Sequence, residues 1–356
     1  MKKAVLKTFL GFFFSGVALL YLFFQIKDPL RLKIALLTAD YRIIMAVMLL
    51  PLITLVIRAW RWHYLLRPVK RVGFMPLFSA TSIGFMGNNL LPFRMGEIIR
   101  PIFIGAKEKI SYSAALGTIF TERLLDLLSI FVIFFLVIFR KDWQLLSPSV
   151  QATLTLACYP IFVMFIGLLG WVILLKLRPE AMYRLIHLGL DWLSPKLAHI
   201  AERLSRRFFE GLASLSWNFE LLIILMLSAL LWFASGVFFT LVNLAFTGII
   251  GHHLPYISCY FLLLSVAFAV SLPSSPGFIG VYHTAYTLVL VKMYDLPPDV
   301  ALSMAIIAHA ASFIPQTIMG LIALAWEWQI FLQIKAVMKN LFSQRSTPGD
   351  AARETE

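Results

Sequence analysis

Charge is what this sequence has least of. Only 14% of its 356 residues are Asp, Glu, Lys or Arg, and 60% are apolar, whereas a soluble domain carries about a quarter charged residues. With a mean hydropathy of +0.85, a soluble globular chain is excluded and a polytopic membrane protein remains. Acidic residues are the scarcer sign, 18 against 31 basic, for a net charge of +13. In a soluble protein that excess would point to nucleic acid. Here no basic soluble domain carries such binding, and the basic residues crowd the ends of apolar runs, where they set topology and meet anionic headgroups. Nucleic acid is therefore not an expected partner. Cysteine is nearly absent too: Cys158 and Cys259 both sit in apolar runs and read as small packed or lipid-facing side chains. No serine elbow, metal-ligand spacing or phosphate-binding glycine loop occurs, so no metal and no cofactor are expected.

What is present is a series of apolar runs, which predicts an all-α helical bundle in the membrane over residues 1–330. Lys2, Lys3 and Lys7 precede a first span, Phe9 to Phe24. A second run, Ile43 to Ile57, ends in Arg58, Arg61, Arg67, Lys70 and Arg71 with Trp60, Trp62 and Tyr64 among them, a basic and aromatic mixture that reads as a membrane interface. Full spans are expected at Ala114–Phe139, Leu154–Leu175, Leu221–Ile250 and Ala301–Trp326. Between residues 176 and 218, Leu197, Ile200, Leu204, Phe208, Leu212 and Leu215 recur at helical spacing with Arg203, Arg206 and Arg207 interleaved. That is an amphipathic cytoplasmic connection lying on the bilayer. Residues 331–356 read as a polar, disordered tail. Two segments, about 74–105 and 256–293, hold apolar pieces too short to cross, since a spanning helix needs about 20 residues. They are expected to be re-entrant or discontinuous helices. With each broken element returning to the side it entered, both termini fall in the cytoplasm of a multi-pass plasma-membrane protein. The basic loops then lie inside, except the loop with Lys27, Arg31, Lys33 and Arg42, which falls outside against the rule.

The first broken segment contains Asn88-Asn89-Leu90-Leu91-Pro92-Phe93-Arg94-Met95-Gly96-Glu97-Ile98-Ile99-Arg100-Pro101. Prolines that disfavour continuous helix and charges that hydrocarbon rejects persist at membrane depth only inside protein or beside a wet cavity. Arg94 and Arg100 are planar donors suited to phosphate, and Glu97 lies three residues from each, able to neutralise either. Glu122 and Asp126 share a helix face with Arg123 beside them. In the second segment, Ser275-Pro276-Gly277 precedes an apolar helix, where free backbone N–H groups attract anions. Broken helices in both halves point to a transporter-like site. Two readings stay open for these charges: a lipid-headgroup site, or a closed ion-pair network that only fixes packing.

The run from Asn89 to Arg100 resembles the N-x-L-P-x-R-x-G-E-x-x-R signature of the lysylphosphatidylglycerol synthase transmembrane, or flippase-like, family. Glu122-Arg123-Leu124-Leu125-Asp126 is similar to that family's E-R-x-x-D element, and Ser275-Pro276-Gly277-Phe278-Ile279-Gly280 to its S-P-G-G-I-G element. The resemblance implies a helical bundle with two re-entrant elements and a lipid-handling role. It points to Asn89, Arg94, Glu97, Arg100, Glu122, Arg123, Asp126, Ser275, Pro276 and Gly277 as substrate-binding residues. His283 and His309 stand where the family often has Glu and Arg. They keep polar contact but make the charge there depend on pH. No soluble synthase domain follows, so aminoacyl transfer is not implied. The expected function is binding and translocation of an anionic or glycosylated lipid between leaflets, a transporter-like rather than enzymatic role. The expected partner is a membrane lipid with an anionic headgroup, with a second copy of the chain or an envelope enzyme as further candidates. The alternatives are a membrane-embedded transferase acting on polyprenyl-linked sugars and a non-catalytic scaffold for an envelope-lipid enzyme.

Overall fold

A computed structural model of the chain describes residues 15–138, 178–192, 194–195, 197–203, 219–271 and 275–334, with single positions between 163 and 174. All regular structure among them is helical. The elements are α1 (Ser15–Gln25), α2 (Pro29–Thr38), α3 (Tyr41–Val47), α4 (Leu49–Leu66), α5 (Phe74–Leu90), α6 (Gly96–Glu108), α7 (Tyr112–Ile138), α8 (Pro179–Leu190), α9 (Phe219–Ala245), α10 (Ile257–Ser271), α11 (Val281–Tyr294) and α12 (Pro298–Trp326). Among the described residues, three stretches are long and apolar enough to cross a membrane: Tyr41–Leu66, Phe219–Ala245 and Pro298–Trp326. The 27-residue α7 has comparable length but carries Glu122, Arg123 and Asp126. The expected span at Leu154–Leu175 lies largely outside the described residues, as does most of the amphipathic stretch beyond Arg203.

Three local expectations change. The basic segment after Lys27 is a helix, not a loop. Asp28 caps α2 by accepting from Leu30 and Arg31 N–H, with Pro29 at the first helical position, a favourable pairing of cap and proline. Buried Asp299 accepts from the backbone N–H of Lys27 and Asp28 at 3.0 and 3.2 Å, which ties α2 to the start of α12. Second, helix continues past Ile57 to Leu66, so Arg58, Arg61 and Trp62 enter the bundle and the expected interface begins only near Arg67. Third, residues 328–334 are helical, so the described part of the expected tail is not irregular.

The two short-helix segments share one design. Helices α5 and α6 have 17 and 13 residues, α10 and α11 have 15 and 14. At about 1.5 Å per residue each is shorter than a hydrocarbon core of about 30 Å. A 3₁₀ turn joins each pair, Pro92–Arg94 in one and Pro276–Phe278 in the other. In both, proline is followed by two left-handed residues: Phe93 and Arg94 (φ 58° and 52°), Gly277 and Phe278 (φ 68° and 58°). Left-handed backbone costs a non-glycine residue about 1–2 kcal/mol, so tertiary contact must hold these turns. The breaks meet: a Cβ on Gly277 would lie 3.0 Å from the Phe313 ring and 3.2 Å from Asn89 O.

Two apolar cores flank a polar layer. One gathers Ile57 of α4 with buried residues of α9 to α12. The other gathers Trp62, Leu65 and Leu66 of α4 with α5, α6 and Ile119 of α7. The charged positions of α4 and α7 fall between.

Away from the bundle, His187 of α8 sits between two carboxylates, Nε2 3.0 Å from Glu202 Oε2 and Nδ1 3.1 Å from Asp191 Oδ2. The hydrogen bond with Glu202, then that with Asp191, raises the His187 pKa above its ordinary value. Because the folded value is the raised one, this link is at full strength below the ordinary histidine pKa of about 6.5 and is lost as pH rises through the folded value. Amide protection over residues 181–191, corrected for intrinsic exchange, is expected to fall as pH climbs past neutral. In His187→Gln it should be low and flat across the same range.

Candidate functional site

The polar layer is a guanidinium–carboxylate cluster built from four elements. Arg58 and Arg61, three residues apart, project from one face of α4. Glu122 and Asp126 face them from α7, four residues apart. Arg100 comes from α6, and Arg94 from the turn before it. Glu122 is wholly enclosed and takes a two-bond grip from Arg100, Nη1 to Oε1 at 3.3 Å and Nη2 to Oε2 at 3.1 Å. Arg61 Nη2 lies 3.4 Å from Glu122 Oε1, and its Nη1 lies 2.8 Å from Asp126 Oδ1. Arg123 Nη2 reaches Glu122 Oε1 at 2.6 Å and Asp126 Oδ2 at 3.2 Å. Arg58 Nη1 stands farther out, 3.8 Å from Glu122 and 3.6 Å from Asp126. The floor is fixed by neutral neighbours: Arg61 donates to Ser228 Oγ (3.1 Å) and Arg100 to Thr81 Oγ1 (3.4 Å). The Arg100 guanidinium lies 4.4 Å above the Trp62 ring, a cation–π contact, and Trp62 in turn donates to Thr118.

Exposure divides the cluster. The side chains of Arg61 and Glu122 are 0% exposed and Arg100 2%, so these are closed. Arg94, Glu97 and Arg123 are 29%, 25% and 25% exposed and form an open mouth. There Glu97 Oε1 is shared, 2.9 Å from Arg94 Nη2 and 3.7 Å from Arg123 Nη1. The sequence placed Glu97 between Arg94 and Arg100. The structure pairs it with Arg94 and Arg123 instead, because Arg100 turns inward to Glu122. Five guanidiniums meet three carboxylates in the whole cluster, leaving two positive charges unmatched.

The remaining predicted residues form a second group. Asn89 Nδ2 donates to Thr317 Oγ1 (2.9 Å) and Phe313 O (3.3 Å), joining the first break to α12, while its carbonyl meets Gly277. His309 stacks on Tyr282 at 4.7 Å and meets His283 edge-on at 4.8 Å. His283 also borders an apolar groove with Leu19, Phe23 and Ile306. Among the described residues, no ion pair or hydrogen bond links these histidines to the arginines. The backbone donors expected near Pro276 are partly used: Ser275 N–H bonds Ser15 Oγ (3.0 Å), Phe278 N–H bonds Ser275 O (3.1 Å), and Gly280 N–H faces His283 Nδ1 (3.4 Å). The packing of α1 against this turn takes the first of them.

Sequence reasoning missed Arg58 and Arg61. Their signal was the three-residue spacing of two arginines inside a run that stays apolar on both sides, matched by the four-residue spacing of Glu122 and Asp126. Another proximity had no sequence signal: His187, His199 and Glu202 bring one nitrogen or oxygen each within 4.8 Å, from helices separated by a turn.

Comparison with known proteins bears on the whole chain. Residues 8–320 match the family described as the lysylphosphatidylglycerol synthase TM region. The chain is similar to the glycosyltransferase AglD of Haloferax volcanii, 23% identical over 307 residues, 80% of this chain and 48% of that protein. It is also similar to the UPF0104 membrane protein PH1989 of Pyrococcus horikoshii, 34% identical over 98 residues, 26% of this chain and 29% of that one. The chain thus spans about half the length of the first relative and less than a third of the second. No solved structure matches.

Proposed function

Because this chain belongs to the lysylphosphatidylglycerol synthase transmembrane family, we propose that it binds the phosphate-bearing headgroup of an anionic or glycosylated lipid and carries it between leaflets. One observation supports the reading above others: five arginines gathered with only three carboxylates, partly open to the outside. Burying unmatched positive charge is costly, and a phosphate would satisfy it. Arg94 and Arg123 at the mouth grip the phosphate, and Glu97 is the internal anion it displaces. Arg61, Arg100 and Glu122 are the fixed floor that positions them. Both termini lie on the cytoplasmic side of the plasma membrane in this reading. The cluster and the histidine group then belong to the two halves that meet at Asn89 and Gly277.

The test is a leaflet-accessibility assay in proteoliposomes over a panel of labelled lipids. Arg94→Ala and Arg123→Ala are each expected to slow transfer of the preferred lipid at least about tenfold, the effect of losing one strong charged contact. Arg94→Ala should melt as wild type, whereas Arg123→Ala should also melt lower because it takes a partner from enclosed Glu122. Glu97→Gln is expected to bind that lipid more tightly, since its two arginines lose a competing anion. Wild-type transfer in both arginine variants would refute the site.

A second reading, a transferase acting on polyprenyl-linked sugars, is favoured by the similarity to a protein named as a glycosyltransferase. It ranks lower because the carboxylates such chemistry would use as a base, Glu122 or Asp126, are both tied up by guanidiniums: Glu122 is enclosed and faces four, and Asp126 faces Arg58, Arg61 and Arg123. Turnover of a lipid-linked sugar donor by the purified protein would reverse that order. Full cellular function in Arg94→Ala and Glu97→Gln would instead favour a scaffold.

A further inference from the structure

Behind the charged cluster lies a cavity of about 210 Å³ between α4, α5 and α9 to α12. It is several times the roughly 30 Å³ that one water occupies in the liquid. Arg58 is the one member of the cluster that lines it. Arg58 Nη1 and Arg123 Nη2 lie 3.6 and 3.2 Å from the same oxygen, Asp126 Oδ2, so a single carboxylate separates the mouth from this cavity.

The lining has an unusual hydrogen-bond inventory. Three of its residues carry buried polar atoms with no hydrogen-bond partner among the described residues: Arg58 Nη1, Trp232 Nε1 and Tyr282 Oη. Trp232 is 9% and Tyr282 6% exposed, so solvent at the surface does not satisfy them. An unpaired buried donor is rare and costly. The indole N–H can only donate, and so can the guanidinium. Three hydroxyls on the same wall have the opposite need. Thr54, Ser235 and Ser312 each spend their hydrogen on a backbone carbonyl, those of Pro51, Leu231 and His309, at 2.8, 2.9 and 3.0 Å, and so offer lone pairs only. Phe85, Phe238 and Phe239 join Trp232 and Tyr282 on the wall, the rest of which is aliphatic apart from Gln316, whose amide both donates and accepts.

A phosphate alone would satisfy the donors and leave the acceptors idle. A ring bearing hydroxyl groups, which both donate and accept, satisfies both sets, and its apolar face suits aromatic walls. Resting on the headgroup reading above, we infer that this cavity is a sugar subsite: it takes the glycosyl ring of a glycosyl phosphate lipid whose phosphate Arg94 and Arg123 hold at the mouth, with Arg58 facing the ring from the cavity side. Trp232 and Tyr282 donate to ring hydroxyls, and Thr54, Ser235 and Ser312 accept from them. The protein then selects glycosylated over bare phospholipid headgroups.

The experiment measures binding of octyl glucosyl phosphate and octyl phosphate to the full chain in nanodiscs by calorimetry. Wild type is expected to prefer the glucosyl probe at least about tenfold. Tyr282→Phe, which deletes one donor at nearly constant volume, and Trp232→Phe, which deletes one donor together with part of the indole, should each cut that preference severalfold, at about one neutral hydrogen bond apiece, and leave octyl phosphate binding unchanged. Because the Tyr282 hydroxyl has no hydrogen-bond partner among the described residues, Tyr282→Phe should melt no lower than wild type, whereas Trp232→Phe gives up packing volume in the core and is read on the affinity ratio alone. Equal affinity for the two probes in wild type, a preference untouched by both variants, or a marked loss of melting temperature in Tyr282→Phe would each overturn the proposal. Arg94→Ala should weaken both probes alike. The ratio of affinities reads the cavity and their common drop reads the phosphate site, so the two assignments can fail separately.

Discussion

Glu122→Ala is expected to be the most damaging single substitution in the chain, with a loss of about 3–5 kcal/mol, the usual result of removing one partner from a buried charge pair. Its carboxylate is 0% exposed and faces Arg58, Arg61, Arg100 and Arg123 within 3.8 Å. Without it, five arginines share two carboxylates, and Arg100 loses both of its charged hydrogen bonds while remaining enclosed. Glu122→Gln keeps the volume and should be nearly as harmful, which separates charge from packing. The discriminating variant is the pair Glu122→Leu with Arg100→Met. Replacing both charges by apolar groups of similar size is often neutral or stabilising, so the double variant should recover part of what Glu122→Leu alone loses. Recovery will be incomplete, because Arg58, Arg61 and Arg123 still need the missing anion. Thermal unfolding in detergent, run as a double-mutant cycle, reads the coupling. A Glu122→Ala protein that melts with wild type would mean that this carboxylate is not the anion the cluster is built around.

The elements of the bundle were largely legible in order and type, because apolar runs bounded by proline, glycine and charge mark helices well in a chain with so little charge. The starts of α11 and α12 fall at or within three residues of the sequence expectation, and both short-helix pairs appear where hydrophobic runs were too short to cross. The site was legible in one half only. The motif from Asn89 to Arg100 announces itself by packing charges between prolines. Arg58 and Arg61 did not stand out, because arginines next to tryptophans at the end of an apolar run look the same whether they face headgroups or turn inward. What decides is the partner, and Glu122 and Asp126 lie over 60 positions away. The direction in which Arg100 points was hidden for a related reason. Helical spacing allows Glu97 to meet either Arg94 or Arg100, and the contact of α6 with α7 selects Glu122 for Arg100. The kinship of the two breaks was also present but easily overlooked. Pro92 to Gly96 and Pro276 to Gly280 share only a proline and a glycine four apart, while their backbones match in the sign of φ at both positions after proline. That likeness resides in backbone geometry, which sequence comparison of the halves does not weigh.

Gly96→Ala carries the second largest expected effect, and it acts through space rather than charge. Helices α5 and α6 approach so closely that a Cβ on Gly96 would overlap the carbonyl of Gly84 and lie 2.7 Å from Asn88 Oδ1. The obstacle is backbone, which cannot rotate away, so α6 must shift. Overpacking of this kind costs about 1–3 kcal/mol and sometimes more. The upper end is expected here because α6 also carries Glu97 and Arg100. Moving it stretches the bonds from Arg100 to Glu122, and so adds part of the electrostatic loss to the steric one. Gly84→Ala should fail by the converse route, since its Cβ would lie 2.6 Å from Arg100 Cδ and that side chain is enclosed and held to Glu122. Gly16→Ala supplies the control: nothing lies within 4 Å of that position in α1, and alanine favours helix over glycine by about 0.8–1.0 kcal/mol, so it should be neutral or slightly stabilising. The measurement is the unfolding midpoint of the three variants together with lipid transfer. Gly96→Ala is expected to lose both, which ties the spacing of two helices to the charge geometry of the site. If Gly96→Ala melts with Gly16→Ala, the close approach of α5 and α6 is wrong, and with it the inward path by which Arg100 reaches Glu122.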